Sequence, residues 1–407
     1  MNIAVAQSGG PTCAINASLV GVFKESLKES SIDAIFGSVN GIEGIINDNL
    51  VDLKNIILSN EDIELLRQTP STVLGSCRYK LKDWEEDDTV YQKIVNCFKR
   101  RQIGAFFYIG GNDSMDTVKK LSEYTKQIGM DIKIIGIPKT IDNDLCVTDH
   151  SPGFGSAAKY VAATMQEIIR DSSVYSMPSV TIVEIMGRHA GWLTASSVVL
   201  HTNIETAPHL IYVPECEFSI ESFLHDVENE MAKHKAVIVA ISEGIEISEE
   251  SSSFQSGVVD SFGHKYLSGI GKYLENVVRS KIGCKVRSIE LNVMQRCSSH
   301  ICSKTDIDES EQIGAAGVRC ALKGETGKVM VFKRVNDMPY MVTIDSVDAN
   351  KIANFEKYLP ENYISPAKNN ITNEAINYFM PLIQGELNIV MENGLPKHFT
   401  IKESVLK

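Results

Sequence analysis

Pro138-Lys139-Thr140-Ile141-Asp142-Asn143-Asp144 sets an amine, a hydroxyl and paired carboxylates in one short run. Upstream of it the hydrophobic run Ala105-Phe106-Phe107-Tyr108-Ile109 ends in Gly110-Gly111-Asn112-Asp113-Ser114. Together these residue types suit phosphoryl transfer. A strand that ends in paired glycines exposes backbone N–H groups at the mouth of the next helix, where phosphate oxygens find donors and a favourable dipole. Lys139 adds a mobile positive charge. Asp142 and Asp144, two apart on a loop, offer one carboxylate to take a proton and another to position a metal or that base.

Such residues need strands that deliver them to a common edge. Short β-rich runs alternate with longer helical patterns along the chain, which is the α/β signature. Ile3 to Ala6 reads as a buried strand, Ser8-Gly9-Gly10-Pro11-Thr12 as a turn, and Asn16 to Leu27 as a helix with Leu19, Val20, Phe23 and Leu27 on one face. Further strands are expected at 132–137, 180–185, 210–213, 236–241 and 286–294, mostly apolar on both faces as parallel strands under helices must be. In open parallel sheets ligands bind beyond the carboxyl ends of the strands, so strand-terminal residues are the candidates for function. Residues 246–262, acidic and Ser-rich, read as an exposed loop, and the tail beyond Leu387 shows little periodicity. No internal repeat is found.

Composition sets the outer limits. A chain of 407 residues exceeds one ordinary core, so two lobes are expected, with a weak boundary near 145–160. Its net charge of −12 argues against nucleic acid as a partner, so any anionic substrate must be held by a local basic pocket. Nine scattered cysteines and the lack of a secretory pattern before the first strand are read as reduced thiols in a cytoplasm. No apolar stretch approaches the ~18–20 residues of a membrane span.

Read in order, Gly9-Gly10, Leu74-Gly75-Ser76-Cys77-Arg78, Gly110 to Ser114, Pro138 to Asp144, Met186-Gly187-Arg188-His189-Ala190-Gly191, Ile241-Ser242-Glu243-Gly244 and Gln295-Arg296 resemble phosphofructokinases in sequence and spacing, from about residue 1 to about 335. The resemblance implies two Rossmann-like lobes with mostly parallel sheets. It assigns 1–145 to a donor-binding lobe with part of 257–305 returning to it, 146–256 to a sugar-phosphate lobe, and 306–407 to C-terminal helices and strands that complete both. ATP-dependent members usually carry glycine at the positions of Asp113 and Lys139, and pyrophosphate-dependent members carry Asp and Lys. This chain resembles the second type. A carboxylate at Asp113 disfavours the α-phosphate region of a nucleotide by charge and bulk, and Lys139 can neutralise a small diphosphate.

The implied reaction is reversible attack of the 1-hydroxyl of fructose 6-phosphate on diphosphate, a step of glycolysis, with Asp142 as general base and Lys139 and Arg188 in the catalytic set. Gly9, Gly10, Arg78, Asp113 and Lys139 would bind the donor, with Mg²⁺ near Asp113 and Asp144 as a further ligand. Thr140, Ile141, Asp142, Met186, Gly187, Arg188, Glu243, Arg287, Val293 and Arg296 would form the acceptor side, Arg287 and Arg296 matching the family's sugar-phosphate arginines. His189 is read as structural. A homodimer is preferred to a tetramer. Three departures stand out: Asn112 where an aspartate commonly helps bind metal, Ser179 where many relatives carry an arginine for a neighbouring subunit's sugar phosphate, and Val293 in place of an aromatic residue or histidine. Together they raise sedoheptulose 7-phosphate as a second acceptor, and Asn112 keeps open a catalytically idle regulatory subunit; an ATP-dependent phosphofructokinase is a separate alternative. The Gly153-Phe154-Gly155 pattern is too loose for a nicotinamide site, Cys297, His300 and Cys302 are one ligand short of a structural zinc, and no P-loop occurs.

Overall fold

The computed structural model of the chain describes residues 1–202, 204–247 and 269–401. Among them the strands β1 (Asn2–Gln7), β2 (Ile35–Ser38), β3 (Leu50–Asp52), β4 (Ile103–Gly110), β5 (Lys133–Pro138), β6 (Ser179–Ile185), β7 (Leu210–Tyr212), β8 (Ala236–Ser242), β9 (Lys285–Glu290), β10 (Lys328–Asp337) and β11 (Tyr340–Asp348) build two main sheets. The larger has the order β11-β10-β5-β4-β1-β2-β3 and is parallel except at its margins, where β11 and β3 run antiparallel. The smaller, β7-β8-β6-β9, is parallel throughout. This is the α/β architecture that the sequence implies.

Period-two alternation explains why both faces of the large sheet are apolar. Ile3 and Val5 enter one core with the helices Ile15–Leu27 and Lys304–Leu322, while Ala4 and Ala6 enter another with Thr89–Arg100 and Asn112–Gln127. In the small sheet Val183 and Ile185 pack with the helix Phe154–Ser173, and Val180 and Ile182 with Ile220–Met231 and Ile270–Lys281. The chain comes back to the first lobe at Cys302, which packs with Cys13, Ala14 and Ala17.

Register brings the functional loops together. Gln7 of β1 lies opposite Ile109 of β4, and Gly110 opposite Pro138 of β5, so the glycine turns and Lys139 leave the sheet side by side. The chain departs from β1 toward β2 on one side and toward β4 on the other, and such a switch point opens a crevice. In the small sheet Ile185 is opposite Ser242, which sets Met186 beside Glu243.

Some expectations are corrected. The strand foreseen over 286–294 stops at Glu290, because Asn292 adopts a left-handed φ of 47° and Met294–Cys297 forms a helical turn. Leu27, placed on the buried helix face, is 48% exposed at the helix end. The tail holds a short antiparallel pair, Met391–Glu392 with Leu395–Pro396. Apart from Glu246 and Ile247, the loop expected at 246–262 lies outside the described residues.

Candidate active site

The carboxyl ends of the two sheets face a common cleft of about 690 Å³. Its floor on one side is the turn after β1. Gly9 has φ +77°, which favours glycine, and a Cβ there would press on Lys139 Nζ at 3.1 Å. Ser76 Oγ donates to Gly9 O at 2.7 Å, tying the turn to the segment that carries Arg78. Thr12 Oγ1 accepts from the N–H groups of Ala14 and Ile15 at 3.2 and 3.0 Å, which satisfies amides at the entry to the following helix.

Lys139 is 2% exposed, and its Nζ donates to Gly10 O at 2.7 Å. Burial, reinforced by the Arg296 charge, lowers its pKa to about 8 against the opposing pull of Asp142 and Asp144. The loop it leads is self-braced: Asp142 N donates to Thr140 Oγ1 at 3.1 Å. Asn143, at a left-handed φ of 56°, donates to Tyr378 Oη at 2.9 Å and accepts from Ser151 N at 3.0 Å.

Acidic side chains converge opposite the amine. Burial pushes Asp142 up while Arg296, Lys139 and Arg188 pull it down. Asp144 is pushed to about 7 by burial and then by Asp142, and its Oδ1 is buried with no hydrogen-bond partner. Glu243 is likewise pushed to about 7 by burial and then by Asp142, and Gly187 N donates to its Oε1 at 3.4 Å. A lysine lowered and carboxyls raised within one cleft are the environment in which proton acceptors work near neutrality.

Asp113 occupies the first turn of the helix Asn112–Gln127 and lies 3.8 Å from Lys80 Nζ. Asp113, Asp142, Asp144, Glu243 and Glu356 are the carboxylates that line the cleft. Among the described residues no group of three or more His, Cys, Asp or Glu could hold a metal by itself. Mg²⁺ commonly takes one or two carboxylates and completes its shell with substrate phosphates, so the residues present fit that ion.

Of the residues singled out from sequence, Gly9, Gly10, Arg78, Asp113, Lys139, Thr140, Ile141, Asp142, Asp144, Met186, Arg188, Glu243 and Arg296 line the cleft. Gly187 is not among the lining residues but donates its N–H to Glu243, which is. Arg287 and Val293 do not enter this chain's cleft. Arg287 stands on the edge strand β9, where its guanidinium meets Asp171 at 3.0 Å, and Val293 is 59% exposed where the strand has already ended. His189, read as structural, is at the cleft wall. Sequence reasoning missed Tyr79 and the segment of Asn354, Phe355, Glu356 and Tyr358, which arrives from the far end of the chain without a motif of its own. The Gly153 turn is filled from within: Asp306 accepts from Gly153 N and Ser156 N at 2.8 and 3.0 Å, where a dinucleotide phosphate would have to bind.

The phosphofructokinase family model matches residues 2–320. A pyrophosphate–fructose 6-phosphate 1-phosphotransferase from Halomonas elongata is 38% identical over 97% of this chain and 95% of its own. One of the same name from Xanthomonas campestris pv. campestris is 38% identical over 98% and 96%. The crystal structure of a pyrophosphate-dependent phosphofructokinase from Marinobacter aquaeolei superposes with a TM-score of 0.87 at 34% identity, covering 98% of this chain and 96% of that one.

Proposed function

The chain belongs to the phosphofructokinase family, and from that membership and the cleft's geometry we propose that it transfers a phosphoryl group reversibly between inorganic pyrophosphate and the 1-hydroxyl of fructose 6-phosphate, a step of glycolysis. The observation that carries the donor assignment is Lys139: a buried ammonium under the glycine turn, with the Asp113 carboxylate at the neighbouring helix start. A compact diphosphate brings enough charge to offset burial of that ammonium. A nucleotide would have to lay its α-phosphate and ribose against Asp113.

In this reading Asp142 takes the proton of the 1-hydroxyl as the 1-oxygen bonds to the terminal phosphorus and the bridging P–O bond breaks, releasing inorganic phosphate. Gly9, Gly10, Arg78 and Lys139 bind the donor and offset its charge. Thr140, Ile141, Met186, Arg188, Glu243 and Arg296 hold the sugar phosphate. Such a reaction asks the protein mainly for positioning and charge stabilisation. Asp113, with Asp144, would hold Mg²⁺, which supplies charge neutralisation when bound.

The outward position of Arg287 suits a cation offered to a neighbouring subunit, and we propose a homodimer on that ground. The nine cysteines form no disulfide, which agrees with the cytoplasm as the place of reaction. The decisive experiment assays the purified chain with fructose 6-phosphate and either pyrophosphate or ATP at matched Mg²⁺. Turnover with pyrophosphate is expected, and faster turnover with ATP rejects the donor assignment.

A further inference from the structure

One wall of the cleft lies beyond the reach of the family match. Asn354, Phe355, Glu356 and Tyr358 line it, whereas that match ends at residue 320. The segment is held at both ends. At one end Asn112 Nδ2 donates to Phe355 O at 3.0 Å while Asn354 N donates to Asn112 Oδ1 at 2.7 Å, and Asn354 Nδ2 donates to buried Asp116 at 2.9 Å. At the other, Lys357 N donates to Asp144 O at 2.7 Å and Glu356 bridges antiparallel to Leu145. Lys357 Nζ donates to the carbonyl oxygens of Thr148 and Asp149 at 3.2 and 2.8 Å. Ala349, Ile352 and Ala353, just upstream, are buried in the core below. The segment therefore spans from the helix start that carries Asp113 to the loop that carries Asp142 and Asp144.

The chemistry at position 112 is specific to an amide. An aspartate could accept from Asn354 N, but it would turn a carboxylate oxygen against Phe355 O with no proton between them. Asn112 is thereby accounted for as a positioning residue rather than as a metal ligand lost.

We propose that residues 354–358 form a fixed strap along the donor end of the cleft, positioned by Asn112, that limits how long a phosphate chain can lie beside Asp113. A donor extended past its second phosphate would bring further negative charge toward the Asp113 and Glu356 carboxylates and would have to displace the Phe355 ring. The inference rests on the diphosphate reading above.

The test compares pyrophosphate with tripolyphosphate as donor to fructose 6-phosphate, at matched Mg²⁺, for the native chain, Phe355→Ala and Asn112→Ala, the second of which removes both side-chain bonds to the strap without adding charge. Phe355 is 56% exposed, so its truncation takes nothing from the core. Both variants should raise the tripolyphosphate-to-pyrophosphate ratio of kcat/KM by about tenfold or more, the scale of discrimination that pocket shape supplies, with KM for fructose 6-phosphate unchanged. An unchanged ratio in a Phe355→Ala chain that melts like the native one overturns the strap and leaves the diphosphate reading standing. A ratio that rises only together with KM for fructose 6-phosphate marks general loosening and also overturns it. A native chain faster with ATP than with pyrophosphate refutes the donor reading, and the strap with it.

Discussion

Lys139 is a cation in surroundings that disfavour its own charge, and on the proposed function that tension would make it respond to the donor. Its pKa of about 8 follows from burial and from Arg296. A diphosphate would reverse the balance by supplying the missing counter-charge. The ammonium form is the one that binds, so kcat/KM for pyrophosphate, which reports the free enzyme, is expected to fall as pH rises through about 8. Lys139→Arg should move that limb upward out of the range, because arginine stays charged; a limb that stays in place assigns it to another group. Asp142→Asn is expected to lower kcat by roughly 10²–10⁴, the usual loss with a general base, while the affinity for pyrophosphate measured at equilibrium changes little. Replacing both Asp113 and Lys139 by glycine should bring in ATP-supported turnover. No gain in ATP use would show that other residues govern the donor.

At the scale of elements, the glycine turn is steadied by a helix crossing remote from the chemistry. The helices Ile15–Leu27 and Lys304–Leu322 approach so closely that a Cβ on Gly21 would sit 2.0 Å from Glu311 O, and one on Gly314 would sit 2.1 Å from Ser18 O. The first helix begins where the Gly9-Gly10 turn ends. The second carries Asp306, whose carboxylate holds the start of the helix Phe154–Ser173 over the small sheet. Gly21→Ala must therefore force these helices apart against backbone atoms, and a loss of about 1–3 kcal/mol or more is expected. Equilibrium denaturation measures it, through a lowered midpoint at constant slope. A midpoint equal to that of the native chain would mean that the crossing yields without cost.

At the scale of the whole molecule, the cleft stores unfavourable charge that should appear in the pH dependence of folding. Asp144 and Glu243 bind protons up to about pH 7 in the folded state but only through the ordinary carboxylate range when unfolded. The folded state then carries more protons in that window, so stability should fall as pH rises toward 7. Lys139 and Lys357 have the opposite sign: lowered to about 8, they leave the unfolded chain with more protons above that pH, and stability should recover toward the ordinary lysine range. Thermal melts against pH should show this minimum at pH 7–8, and Asp144→Asn should flatten its acid side. Pyrophosphate with Mg²⁺ should lift it, by about 2.7 kcal/mol at a hundredfold excess over Kd. From the sequence alone came the α/β class, the strand ends that carry function and the residues of the Pro138 to Asp144 loop, because period-two burial and glycine turns are written locally in residue types. What only the tertiary structure decided is non-local: that Arg287 and Val293 lie outside this chain's cleft, one on an edge strand and the other past a left-handed Asn292, and that Asn354, Phe355, Glu356 and Tyr358 complete the cleft wall. Nothing in the types of residues 354–358 foretells that placement, because it depends on backbone hydrogen bonds to Asn112 and Asp144, partners more than two hundred positions away in the chain.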